Sequence, residues 1–93
     1  MQVERLHERV AVRADFRGGV ITPVAVARIS GERMKVEGVA GRWVDRSRGN
    51  AAGVGRGGAP CYHFTIRMAG ATYELAFDAA VPEWWLERVM LDG

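Results

Sequence analysis

Apolar and polar residues alternate along much of the chain. This predicts β-strands with one buried face, because successive side chains of a strand point to opposite sides of the sheet. The second half shows the pattern most clearly, on both sides of a turn at Ala69-Gly70-Ala71. The apolar positions are Tyr62, Phe64, Ile66 and Met68 before the turn and Tyr73, Leu75 and Phe77 after it. They predict a β-hairpin whose aromatic and aliphatic side chains pack across the strand pair.

A first hairpin is predicted near the N-terminus, with a turn at Arg17-Gly18-Gly19 that tolerates positive φ. The apolar side of its first strand contains Val10, Val12, Ala14 and Phe16. The second strand, within residues 20–29, is rich in β-branched residues but contains Pro23. Because proline has no N–H for a ladder, it belongs at an edge, at a strand start or in a bulge. We expect this strand to begin after Pro23.

The remaining segments are less regular. After a turn at residues 30–33 the alternation is interrupted at Gly38 and Gly41, which predicts a bulge or a sharp bend. Residues 84–91 fit both a strand and a helical turn, and we favour the strand. Residues 1–8 carry two apolar side chains among charges. Both a frayed helical turn and an extension of the first strand remain open for them.

Strand signals recur about every ten residues with turns between them and without a long amphipathic helix, which indicates an all-β fold. We predict one domain over residues 1–93, a small antiparallel β-barrel or strongly curved sheet of five to six strands and of SH3-like size. Closure or strong curvature limits the exposed edges that a flat sheet would leave.

Residues 45–60, DRSRGNAAGVGRGGAP, contain five glycines and one large apolar residue. Such a segment cannot bury itself, so we predict a long, flexible hairpin loop rich in glycine and arginine. It lacks the Lys-Ser/Thr ending of a P-loop and lies between two strands rather than before a helix. A nucleotide site is therefore not expected.

Composition is ordinary for a globular protein, with 48% apolar and 26% charged residues. No apolar stretch approaches the roughly 20 residues that span a bilayer, and the N-terminal residues lack the features of a targeting signal. We expect a cytoplasmic protein without membrane contact.

Net charge is +2, but the basic residues, almost all arginine, concentrate in residues 1–60. Arginine suits the recognition of phosphate or carboxylate groups.

No catalytic, metal or cofactor site is expected. Cys61 and His63 form a Cys-x-His spacing, but strand alternation explains both as outer-face residues, and no third group orients them. A single cysteine and two histidines cannot supply a zinc site. The carboxylates near the C-terminal hairpin are typical of the solvent faces of strands, so we assign no acid/base pair to them: Glu74, Asp78, Glu83 and Glu87.

A candidate binding surface remains. Most aromatic residues are expected in the core, but neighbours on a strand face opposite ways, so one of Trp84 and Trp85 should be partly exposed. The other candidates lie at the base and along the body of the loop: Arg42, Trp43, Arg46, Arg48 and Arg56. We expect a non-enzymatic module that binds a protein partner or another copy of itself. Nucleic-acid binding is one alternative, since arginines grip the backbone while an indole stacks on a base. An uncharacterised enzyme is the other.

Four segments carry a resemblance: Ile29-Ser-Gly-Glu-Arg-Met-Lys-Val-Glu-Gly-Val-Ala-Gly-Arg-Trp43, Tyr62-His-Phe-Thr-Ile-Arg, Tyr73-Glu-Leu and Trp84-Trp-Leu-Glu-Arg-Val89. With these the chain resembles a family of short uncharacterised bacterial proteins, some of them associated with error-prone Y-family DNA polymerases. The resemblance covers roughly residues 8–91, mostly core positions, and implies a DNA-repair context. Ile29 and Met34 stand where that family has aromatic residues, and the glycine-rich loop is unusual, so a loop function does not transfer.

Overall fold

The computed structural model describes residues 2–45 and 59–91. Its regular elements are β1 (Gln2–Arg17), β2 (Val20–Ala27), β3 (Arg33–Lys35), β4 (Gly38–Asp45), β5 (Cys61–Met68), β6 (Ala71–Asp78) and β7 (Glu83–Leu91). The all-β prediction is confirmed, whereas the predicted five to six strands are too few. Within these ranges there is no helix of the length and hydropathy needed to cross a membrane. The predicted glycine- and arginine-rich loop lies, for residues 46–58, outside the described residues.

The seven strands form one antiparallel sheet in the order β3-β2-β1-β7-β6-β5-β4, curled into a half-barrel. The long β1 pairs with β7 through its first part and with β2 through its second. Val36 and Glu37 connect the two edge strands, β3 and β4. The Val36 N–H donates to the Val24 carbonyl in β2 at 2.8 Å, and the Glu37 N–H donates to the Arg67 carbonyl in β5 at 2.7 Å. Because the chain changes partner here, residues 33–45 form two strands instead of one.

The core lies inside the curl, and most of its residues come from the second half of the chain. Ile66, Met68, Leu75 and Leu86 are fully buried. Removing a side chain of this size from water contributes about 1.5–3 kcal/mol. The rest of the buried cluster is Val10, Val26, Met34, Phe64, Ala71, Tyr73 and Val89.

Both predicted hairpins are confirmed. In the second, Tyr62 pairs with Phe77 and Phe64 with Leu75, so the apolar residues face each other across β5 and β6. In the first, the turn glycines adopt φ of +54° and +78°. Residues 2–8 belong to β1, which selects the strand extension over the frayed turn. Residues 84–91 form a strand, as favoured.

Two irregular positions were only partly predicted. Strand β2 begins at Val20, so the prediction that it starts after Pro23 is wrong. Pro23 is buried opposite Ala14, where the register with β1 shifts, and this bulge accommodates a residue without an N–H. The predicted irregularity near Gly41 is confirmed by a register shift between Val39 and Gly41 in the pairing of β4 with β5.

One ion pair fastens β1 to the turn after β2. Arg28 Nε donates to both carboxylate oxygens of Glu8 at 3.2 Å, and Arg28 Nη2 donates to Oε1 as well. The Ile29 N–H donates to Glu8 Oε2 at 3.2 Å. The Arg28 hydrogen bond is the main reason that the pKa of Glu8 lies below its ordinary value. Arg28 and the Ile29 N–H therefore hold Glu8 in place and favour its ionised form.

Candidate functional site

Trp43, one of the residues predicted to bind, lies on the outer face of β4 with 46% of its surface exposed. The bulge in β4 accounts for this position. Val39 packs against the core, and the extra residue between Val39 and Gly41 turns Trp43 to the other face. This exposed indole therefore has no part in the core cluster.

The adjacent tryptophans of β7 face opposite ways, as predicted for neighbours on a strand. Trp84 packs against the core, with its ring 5.8 Å from that of Phe64 and 4.5 Å from that of Phe77 between centroids. Trp85 lies on the outer face and is half-buried. Trp84 is thus a core residue, and Trp85 shares a face with Trp43.

Four strands contribute one outward residue each to a single row. Trp43 of β4 pairs with His63 of β5, His63 pairs with Ala76 of β6, and Ala76 pairs with Trp85 of β7. Directly paired residues in antiparallel strands have Cβ atoms about 4.5–5.5 Å apart. The row is therefore continuous, with its smallest side chain between His63 and Trp85.

Each of these two tryptophans stacks on a histidine. The ring centroids of Trp43 and His63 are 4.9 Å apart with 6° between the planes. Those of Trp85 and His7 are 4.6 Å apart with 13° between the planes. The stacks flank Ala76 and form the centre of a depression of about 710 Å³, which we call the outer trough. Its remaining lining includes Cys61 and charged residues of β1 and β4–β7.

His7 has an unusual backbone for a strand residue. Its φ is +45°, at a point where the register between β1 and β7 shifts. The left-handed region costs a residue other than glycine about 1–2 kcal/mol, so the surrounding contacts must hold it there. One such contact joins His7 Nδ1 to Glu87 Oε1 at 3.1 Å. The strained residue is the one that carries the ring against Trp85.

Carboxylates outnumber guanidinium groups around the outer trough. Among the described residues it is lined by Asp45, Glu74, Asp78 and Glu87 but only by Arg5 and Arg88. Arg88 Nε lies 3.0 Å from Glu74 Oε1, so the charges of these two side chains neutralise each other. Asp78 Oδ1 accepts the Ala80 N–H at 3.0 Å, and no arginine or lysine pairs with it among the described residues. The trough is acidic although the chain carries a net charge of +2.

Cys61 was interpreted as an outer-face residue, and its register position between Asp45 and Asp78 is indeed outward. Its side chain is nevertheless buried. Burial first, and then the charges of Asp78, Asp45 and Glu87, raise the pKa of the thiol to about 11. Since the thiolate is the nucleophile, a thiol that stays protonated at neutral pH does not support the Cys–His hypothesis.

Arg42, the one predicted arginine among the described residues, does not line the outer trough. Arg42 pairs with Phe64, an inner residue, and lines a separate opening of about 200 Å³ beside Gly19 and Val20 of the first hairpin. Arg46, Arg48 and Arg56 lie outside the described residues. Over residues 2–45 and 59–91 no group of His, Cys, Asp and Glu is arranged to hold a metal ion.

Sequence reasoning missed His7 and Ala76 as parts of this site and considered His63 only as a catalytic residue. Outward parity on β5 and β6 places His63 and Ala76 side by side once the hairpin register is known. For His7 no comparable signal exists, because its position depends on the irregular pairing of β1 with β7.

Comparisons with protein-family models, with characterised proteins and with solved structures found no match to the chain. The resemblance to the family associated with Y-family polymerases therefore stays a prediction. Functional reasoning has to start from the outer trough itself.

Proposed function

We propose that this protein is a non-enzymatic binding module that holds a protein, a different chain or a second copy of itself, on the outer trough. The observation that carries the proposal is the pair of tryptophan–histidine stacks on an exposed sheet face. Tryptophan is enriched among the residues that dominate binding energy in protein interfaces. A domain of this size needs its large aromatic side chains for the core, so two indoles outside it call for another role.

The stacks also favour binding because they fix the rings before a partner arrives. Each indole is already in contact with an imidazole, and His7 is held in turn by Glu87. Ordering a side chain at an interface costs about 0.5–1.5 kcal/mol, and rings that are held in advance avoid much of that cost.

Nucleic-acid binding receives less support from the same face. Phosphate groups would meet the carboxylates of Glu74, Asp78 and Glu87. Arg42 lines the smaller opening together with Trp43 and His63, but it pairs with the inner residue Phe64 and does not line the outer trough. A stacking ring and a row of free arginines are therefore not combined at one place among the described residues. Nucleic-acid binding through the loop remains a hypothesis, and the experiment below also measures binding to an oligonucleotide.

The test is a selection of random peptides displayed on phage against the wild-type protein, with light scattering on the same preparation. We expect either enriched peptides or a concentration-dependent dimer. In both cases Trp43→Ala and Trp85→Ala should weaken binding about tenfold or more, the size of effect typical of central interface residues. Phe16→Ala is the matched control, since Phe16 is 65% exposed on the first hairpin and outside the trough.

Three results would overturn the proposal. One is a strict monomer from which no peptide is enriched over an unrelated domain. Another is binding to a single-stranded oligonucleotide that falls steeply with salt and depends on Arg42 rather than on Trp85, since released counterions make such binding salt-sensitive. Peptide binding that Phe16→Ala abolishes and Trp85→Ala spares would also reject the outer trough as the site.

A further inference from the structure

The centre of the outer trough has the form of a four-sided box over the side chain of Ala76. Its two cross-strand neighbours on this face are His63 and Trp85, and its neighbours along β6 are Glu74 and Asp78. Two opposite sides are therefore aromatic and the other two carry carboxylates. On one aromatic side Trp43 stacks on His63, and on the other His7 stacks on Trp85.

The two carboxylate ends of the box are not equivalent. Glu74 is already paired with Arg88 at 3.0 Å, which shows a guanidinium group accommodated at that end. At the other end, Asp78 accepts one backbone N–H, and the described residues supply it with no cationic partner. A carboxylate can accept several hydrogen bonds, so Asp78 has capacity for a cation from outside.

The size of the box follows from the strand spacing. Strands β5 and β7 are separated by β6 alone and so lie about 9.5 Å apart, twice the strand spacing. Ala76 is only 4% exposed and forms the floor between its larger neighbours. A flat group has room to lie over it with one face against His63 or Trp85, at a contact distance of about 3.5–4.0 Å.

We infer that the outer trough binds the guanidinium group of an arginine side chain from the partner protein, seated over Ala76 between His63 and Trp85 and paired with Asp78. This inference rests on the proposed function. Guanidinium is planar, stacks on aromatic faces and presents N–H groups at its edge, which matches aromatic walls with carboxylates at the ends. The charges that raise the pKa of the neighbouring Cys61 thiol come from carboxylates of the trough, Asp78 first among them. They give the site the negative potential that a cation requires.

The probe is the blocked tripeptide Gly-Arg-Gly, titrated to about 20 mM into isotope-labelled protein and followed by the indole N–H signals in NMR spectra. We expect the signals of Trp43 and Trp85 to shift, while that of Trp84, in the core, stays in place as an internal control. Lysine in place of arginine should weaken binding about fivefold, because the ammonium lacks a flat face. Citrulline, which replaces the guanidinium with a neutral urea of the same shape, should not bind.

Two variants test the geometry. Asp78→Asn keeps an oxygen for the Ala80 N–H but removes the charge, and it should weaken arginine binding about fivefold. Asp15→Asn, an exposed position on β1 outside the trough, is the control with the same charge change. Ala76→Leu should fill the box and remove the shifts of Trp85. An unchanged Trp84 signal verifies that each variant is folded. If Ala76→Leu does not fold, arginine binding by Asp78→Asn alone tests the inference.

Equal binding of citrulline and arginine, or arginine binding that survives Asp78→Asn undiminished, would overturn the inference. If the selected peptides bind the trough but arginine is dispensable in them, the inference fails and the proposed function stands. If the protein is a strict monomer and neither selected peptides nor the arginine tripeptide binds, both fail.

Discussion

Replacing Glu8 by glutamine tests the ion pair that fastens β1 to the turn between β2 and β3. Glutamine keeps the size of the side chain and one oxygen but has no charge. In the wild type the Glu8 carboxylate accepts hydrogen bonds from Arg28 Nε and Nη2 and from the Ile29 N–H. The variant keeps at most part of this set and leaves Arg28 without its counter-charge.

The magnitude follows from the burial of the pair. A hydrogen bond to a charged group contributes about 1.5–3 kcal/mol when buried, and an exposed ion pair contributes under about 1 kcal/mol. The side chains of Glu8 and Arg28 are 16% and 26% exposed, between these limits. We therefore expect a loss of about 1–2 kcal/mol in the free energy of unfolding at pH 7, or about 5–10 °C in Tm for a domain of this length.

The assay is urea unfolding followed by tryptophan fluorescence, repeated as the pH is lowered. Because Arg28 holds the pKa of Glu8 below its unfolded value, the contribution of the pair is complete above the unfolded pKa of about 4.3 and disappears as the pH falls through the folded pKa. The difference between wild type and Glu8→Gln should therefore be largest near neutral pH and shrink in acid.

Glu32→Gln is the matched control. Glu32 lies 3.8 Å from Nη1 of the same arginine, but its side chain is 56% exposed, so the expected change is below about 0.5 kcal/mol. The reasoning is refuted if the two variants lose equal stability, or if the loss in Glu8→Gln is the same in acid as at neutral pH.

Three further predictions concern single residues. Ala69 adopts φ +50° in the turn before Gly70, so Ala69→Asn should raise the free energy of unfolding by about 0.5–1 kcal/mol, and a decrease in urea unfolding would contradict this. Leu75→Ala should lower it by about 2–5 kcal/mol, because the side chain is fully buried, whereas Leu91→Ala at the exposed end of β7 should cost under about 1 kcal/mol. Cys61, with its pKa raised to about 11, should react with a disulfide reagent at pH 8 about two orders of magnitude more slowly in the folded than in the unfolded protein. Rapid labelling of the native protein would show that this thiol is accessible.

The parts of the fold that depend on local pattern were predictable. Alternation in residues 61–78 places Phe64, Ile66 and Leu75 in the core, and the structure agrees. The number of strands was not predictable, because it depends on which distant carbonyls accept the N–H groups of Val36 and Glu37. For Pro23, local chemistry allows three positions in a sheet, and only the register with β1 selects the bulge.

The outer trough shows why the site was harder to predict than the fold. Two irregularities in strand pairing create it. The extra residue in β4 before Gly41 reverses the parity of the strand and places Trp43 on the outer face. The shift of register in β7 leaves Glu87 as an extra residue against β6, beside the segment of β1 where His7 adopts positive φ and meets Trp85.

Without these bulges the same residues would form a regular sheet that lacks the two stacks. A regular β4 would bury Trp43, and a regular pairing of β7 with its neighbours would remove the contact between Glu87 and the imidazole that covers Trp85. Bulges disrupt ladders and persist where they re-aim a side chain, often next to functional sites. Both bulges here place residues of the two stacks on either side of Ala76. The irregular backbone beside this surface therefore supports the proposal that the partner binds there.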